Sequence, residues 1–96
     1  MTEFTKKVLA IVKEIPKGKV MTYQEVAIKL GNKNLARAVG QALKRNPYPI
    51  IIPCHRVIRS DGKIGGYSLG AKKKIELLRK EGILIVRDKV IFKQNG

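Results

Sequence analysis

Tryptophan is absent from this 96-residue chain, and cysteine and histidine occur once each, as the neighbours Cys54 and His55. A single cysteine cannot close an internal disulfide, so nothing marks an oxidising compartment. One Cys with one His also falls short of a structural zinc site, and no metal or cofactor is expected. Acidic residues are scarce as well, 7 against 21 Lys and Arg, for a formal net charge of +14. That imbalance excludes an evenly charged surface and favours a polyanionic partner, nucleic acid ahead of an anionic membrane. No apolar run approaches membrane-spanning length, and the N-terminal Met-Thr-Glu-Phe-Thr-Lys-Lys lacks a signal-peptide pattern. Repeats, low-complexity tracts and linkers are missing too. The expectation is a soluble, intracellular monomer with one domain over residues 1–96.

What is present is mostly helical periodicity. Phe4, Val8, Ile11, Val12 and Ile15 share one face of a first helix, which Pro16 and Gly18 stop. Thr22 and Glu25 have the spacing of a capping box, with Met21 and Val26 placed for the accompanying staple. The second helix turns Val26, Ala27 and Leu30 inward and ends at Gly31. Asn34 is the expected cap of a third helix reaching about Arg45, with Leu35, Ala38, Val39, Ala42 and Leu43 as its buried stripe. Its other face carries Ala36, Arg37, Gly40, Gln41 and Lys44. Two helices joined by a short turn, the second with a basic outer face, match a helix-turn-helix.

Gly40 costs such a helix roughly 1 kcal/mol relative to alanine, so close approach by another backbone would explain it. That backbone is either a nucleic-acid strand or a neighbouring segment of the same fold. A flat helix face with Arg37 and Lys44 beside it suits a minor groove as well as a major one.

Asn46-Pro47-Tyr48-Pro49 reads as a stiff, extended connection into Ile50–Ile52, a triplet with the look of a buried strand. Pro53-Cys54-His55-Arg56-Val57 follows, with strand continuing to Arg59, a turn at 60–63 and a glycine-rich loop at 64–70. That loop lacks the Gly-Lys-Ser/Thr ending of a Walker motif. A fourth helix spans Ala71–Glu81, with Ile75 and Leu78 inward, Lys72 to Lys74 outward and Gly82 as its cap. Ile83–Val86 and Val90–Phe92 form a closing hairpin, and residues 93–96 are expected to fray. A thiol beside an imidazole and a guanidinium is a candidate nucleophile, because the thiolate is the reactive form and needs a base or a positive neighbourhood.

Pro53-Cys54-His55-Arg56-Val57 stands in order with Tyr23, Arg37 in Arg-Ala-Val-Gly, Asn46-Pro47, Gly66-Tyr67-Ser68 and Glu81-Gly82. Together these blocks resemble the catalytic domain of O6-alkylguanine-DNA alkyltransferases over nearly the whole chain. The resemblance implies a mainly α domain with small β elements, a winged-helix-like helix-turn-helix of the alkyltransferase type. Its partner would be double-stranded DNA carrying O6-alkylguanine, with no cofactor. Arg37 would fill the space left by a flipped-out nucleotide, with Ala36, Gly40, Gln41, Lys44 and Arg56 also on the DNA side. Cys54 would take the alkyl group in an in-line displacement. His55 would accept the thiol proton through a water, and Glu81 would orient His55. Tyr23 would assist the guanine ring nitrogen, and Ser68 the departing oxygen. Tyr67 would wall the pocket, the Cys54 and Val57 carbonyls would accept from the exocyclic amine, and Asn46 would be a hinge.

Many members of that family carry a further N-terminal domain, whereas here the pattern starts almost at Met1, which makes a separate protein in that role one candidate partner. The short alkyltransferase-like proteins bind alkylated bases without transfer and typically have tryptophan at the cysteine position. Cys54 and the absence of tryptophan favour transfer, and without a second cysteine to resolve the thioether each molecule would act once.

Overall fold

The computed structural model describes residues 1–91. Phe92, expected in the hairpin, and the tail 93–96 lie outside the described residues. Helix α1 (Glu3–Lys13) is capped by the Thr2 hydroxyl, which accepts from the Thr5 N–H at 3.1 Å. Its buried face is Thr5, Val8, Leu9 and Val12, rotated slightly from the expected stripe, so that Phe4 and Ile11 are only partly covered. The helix ends before Ile15, which is nonetheless buried.

Strand β1 (Met21–Thr22) leads directly into α2 (Tyr23–Lys29). The capping box forms: Glu25 N–H donates to Thr22 Oγ1 at 3.0 Å, and Thr22 N–H donates to Glu25 Oε1 at 2.8 Å. A cap of this kind is worth about 1 kcal/mol. The third helix starts later than expected. Asn32, not Asn34, supplies the side-chain cap, accepting from the Asn34 N–H at 2.9 Å, and it caps a 3-10 turn at Lys33–Leu35. Helix α3 (Ala36–Lys44) continues from that turn and buries Val39, Ala42 and Leu43 against α1 and α2.

The Ile50–Ile52 triplet is not a buried strand. Ile51 is 77% exposed and Ile50 47%, and Ile50 has φ of +77°, an unfavourable angle for a β-branched residue. Asn46 explains the outcome. Its buried amide donates to the Ile52 carbonyl at 3.0 Å while its Oδ1 accepts from the Tyr48 N–H at 2.9 Å, closing 46–52 into a turn.

A 3-10 turn at Cys54–Arg56 follows, then β2 (Val57–Ile58), which pairs in parallel with β1 in the register Met21 to Val57 and Thr22 to Ile58. Successive strand residues face opposite ways. Val57 accordingly joins the core of α1, α2 and α3, while Ile58 joins a second cluster with Ile64, Leu78, Ile85 and Val90. Each such side chain, removed from water, contributes roughly 1.5–3 kcal/mol. Helix α4 (Ala71–Lys80) and the hairpin of β3 (Ile85–Val86) with β4 (Lys89–Val90) complete that second cluster.

On α4 the expected outward lysines divide. Lys74 is fully buried, and Ile75, expected inward, is only partly so. The Lys74 ammonium donates to the Val57 carbonyl at 2.7 Å and to the Gly66 carbonyl at 3.1 Å, which makes its burial tolerable. No helix among the described residues is long and apolar enough to cross a membrane.

Candidate active site and nucleic-acid interface

Cys54 sits at the first position of its 3-10 turn, where its own N–H donates to the Ile52 carbonyl at 2.7 Å and its carbonyl accepts from Val57. It is 5% exposed and borders a cavity of about 660 Å³. Tyr23 and Gln24 of α2 form one side of that cavity, and Ala36, Arg37, Gly40, Gln41 and Lys44 of α3 another. Gly66, Tyr67 and Ser68 of the glycine-rich loop and Arg59 with Ser60 close it further. The thiol and the basic face of the third helix, separate in the sequence, thus open onto one space. A Cβ on Gly40 would lie 3.9 Å from the Tyr23 ring, an ordinary contact. Packing within the fold therefore does not require glycine there.

The imidazole of His55 is 1% exposed and points away from solvent toward Glu81, with Nε2 to Oε2 at 2.9 Å. Burial pulls its pKa below the ordinary value, against the opposing pull of the Glu81 hydrogen bond and charge. A neutral ring with its proton on Nε2, donated to Glu81, leaves Nδ1 as a free base. Nδ1 is buried and has no partner among the described residues. Burial pushes the Glu81 carboxyl up, but hydrogen bonds from Arg56 and His55, with their charges, more than offset it and leave the carboxyl below its usual range.

Arg56 is a correction. Expected at the DNA, its guanidinium instead faces inward, donating from Nε and Nη2 to both Glu81 oxygens at 2.8 Å and from Nη1 to the Ile15 carbonyl at 2.7 Å. A fork-on-carboxylate pairing is a strong, directional contact. It anchors the carboxylate that meets His55.

Tyr23 lies beside the cavity with its pKa raised, by burial first and by Cys54 next, against a lowering from Arg59. Gly65 makes room for it. A Cβ there would lie 2.8 Å from the Tyr23 hydroxyl, and φ of +74° already favours glycine. Tyr67 packs edge-on to His55, ring centroids 6.3 Å apart, and its buried hydroxyl has no partner among the described residues. Burial, with Cys54, pushes the Tyr67 pKa up to about 12. Ser68 is exposed at the cavity, and Asn46 is fully engaged in its turn. The Val57 carbonyl, expected to face an exocyclic amine, already accepts from Lys74.

Two residues escaped the sequence reading, Arg59 in the cavity lining and Lys74 buried behind Gly66. Lys74 was legible in principle, since it lies one helical turn before Leu78 on the same face. Its ammonium sits 5.8 Å from the Tyr23 ring centroid, and burial lowers its pKa to about 8, with Cys54 opposing. Arg59 carried no local signal, because its place depends on the pairing of β2 with β1.

Fold and site together define a helix-turn-helix domain with a cysteine at the base of a cavity flanked by its basic helix. The family model for the 6-O-methylguanine DNA methyltransferase DNA-binding domain matches residues 3–83. The chain belongs to that family. A methylated-DNA--protein-cysteine methyltransferase of Methanothermobacter thermautotrophicus is 51% identical over 82 residues, which are 85% of this chain and 46% of that protein. The chain spans about half the length of the curated relatives it matches. The crystal structure of Mycobacterium tuberculosis OGT in complex with DNA superposes with a TM-score of 0.83 at 43% identity, over 85% of this chain and 50% of that one. S. pombe Atl1, in complex with damaged DNA containing O6-carboxymethylguanine, gives a TM-score of 0.78 at 43% identity, over 90% and 82%.

Proposed function

We propose that this protein repairs DNA directly, by moving the alkyl group of an O6-alkylguanine in duplex DNA onto Cys54, once per molecule. The observation that carries this reading is the shared cavity: Cys54 at its base, Arg37 and the rest of the α3 face at its rim. A nucleophile buried to this depth cannot reach a base inside the stack, so the damaged guanine must be extruded into the cavity, with Arg37 taking its place. The base Nδ1 of His55 takes the thiol proton through a water. Glu81, held by Arg56, steadies the resulting imidazolium. The thiolate attacks the alkyl carbon, the carbon–oxygen bond breaks, and the guanine leaves. Tyr23 donates to its ring nitrogen and Ser68 hydrogen-bonds its oxygen.

Intact mass after incubation with O6-methylguanine duplex is the test. A gain of about 14 Da, one methyl replacing one proton at a single nucleophile, is expected, and Cys54→Ala should abolish it. Binding without any gain would leave the second reading, a damage-binding protein that marks lesions without transfer. What favours that reading is the likeness to Atl1, at a TM-score of 0.78 and 43% identity. What favours transfer is the thiol with its base and acid already assembled around it.

A further inference from the structure

Arg59 is a cation on the cavity wall contributed by the turn after β2, away from the helix that carries Arg37 and Lys44. The β1–β2 pairing ends at Thr22 and Ile58, with Tyr23 and Arg59 the next residue of each segment, and the Arg59 stem would lie 3.4 Å from a Cβ on Gly65, the position that also abuts the Tyr23 hydroxyl. Cys54 is almost wholly covered, whereas the Arg59 side chain is 55% exposed. The cavity therefore runs from a buried thiol, where a base would react, outward to a guanidinium in contact with water.

The turn holding Arg59 is firmly closed. Arg59 N–H donates to the Lys63 carbonyl at 2.8 Å, Gly62 N–H to the Arg59 carbonyl at 2.9 Å, and Lys63 N–H to Asp61 Oδ1 at 3.0 Å. The other Asp61 oxygen takes Arg59 Nη2 at 3.0 Å. That contact orients the guanidinium but engages one edge, and Nε and Nη1 have no partner among the described residues. As a surface ion pair it would add little to stability. A planar fork with free donors at the mouth of a nucleotide-sized cavity has the geometry that binds phosphate.

We propose that Arg59 binds the phosphodiester of the extruded nucleotide itself. This rests on the reading that a flipped nucleotide enters the cavity. Extrusion draws the nucleotide's phosphate away from the duplex and its counterions, and Arg59 supplies the compensating charge just where the sugar-phosphate would emerge. Arg37, by contrast, acts on the duplex left behind.

The test compares alkylation of Cys54 by O6-benzyl-2′-deoxyguanosine and by its 3′,5′-bisphosphate, followed by intact mass, so that no duplex is involved. The readout is the rate ratio of bisphosphate to nucleoside within each variant, which cancels changes in basal reactivity. The intact protein should prefer the bisphosphate by about tenfold, the scale of one charge-assisted contact. Arg59→Met should bring the ratio near one, Arg59→Lys should keep part of it, and Arg37→Ala should leave it intact. A preserved ratio in Arg59→Met, or a lost one in Arg37→Ala, overturns the assignment. No alkylation of the unaltered protein by either compound would instead sink the transfer reading, and this proposal with it.

Discussion

Replacing Lys74 with methionine should remove a rise in stability that the unaltered protein shows as pH increases from about 8 toward 10. Burial lowers the folded-state pKa of this lysine from 10.5 to about 8. Between those values the unfolded chain holds a proton that the folded protein has released, so raising the pH favours the fold. At about 1.36 kcal/mol per pH unit, the gap amounts to about 3 kcal/mol, most of it recovered by pH 10. Tyr23 and Tyr67 act in the opposite sense. Their folded pKa values are raised, so the stability they contribute is lost only once pH passes the ordinary tyrosine value of 10.0, which leaves the window below it to Lys74. Urea unfolding at pH 7, 8, 9 and 10 on both proteins gives a difference curve in which the other titrating groups cancel. At neutral pH the substitution removes a buried charge but strips a donor from the Val57 and Gly66 carbonyls, about 1–3 kcal/mol each, so its sign there is not diagnostic. The slope is. A flat difference curve would refute the account of Lys74 as a charged, desolvated clamp.

Gly65→Ala should cost about 1–2 kcal/mol from its left-handed backbone alone, measured as a drop in urea midpoint. It should also slow Cys54 alkylation by displacing the Tyr23 hydroxyl, and unchanged rates would argue against a working role for Tyr23. Glu81→Gln should destabilise the protein by about 3 kcal/mol at neutral pH, because it leaves Arg56 largely buried without its counter-charge. Since the Glu81 pKa is lowered in the fold, this loss should fade as pH falls below the ordinary carboxylate value of 4.5. A penalty that persists unchanged at pH 3 would contradict the ion-pair account.

The parts of the fold legible in the sequence are those decided locally. The Thr22–Glu25 box, the stop after α1 and the glycine past α2 each rest on residues a few positions apart, and the structure has them. The errors share one cause. Ile50–Ile52 carries strong strand character, yet Asn46 captures Ile52 and Tyr48 and bends the segment outward. Arg56 was expected at the DNA and Lys74 in solvent, because a cation is placed on the outer surface by default. Their partners, Ile15 and Glu81 for the one, Val57 and Gly66 for the other, come from segments 8 to 41 residues away that no local pattern joins. The site residues were found by resemblance of motif order, which says that Cys54, His55 and Glu81 belong together but not that a guanidinium holds the carboxylate in place.

The inward turn of Arg56 also bears on the order in which the molecule can become reactive. Its three contacts gather the end of α1, the cysteine turn and the residue closing α4. Such widely separated contacts form late, after the chain has paid the entropy of closing the intervening loops. A chain emerging from synthesis that has not reached Glu81 has a thiol but no acid to support its base. On the proposed reading of one transfer per molecule, completion of the fold would switch reactivity on and guard the thiol until the cavity exists.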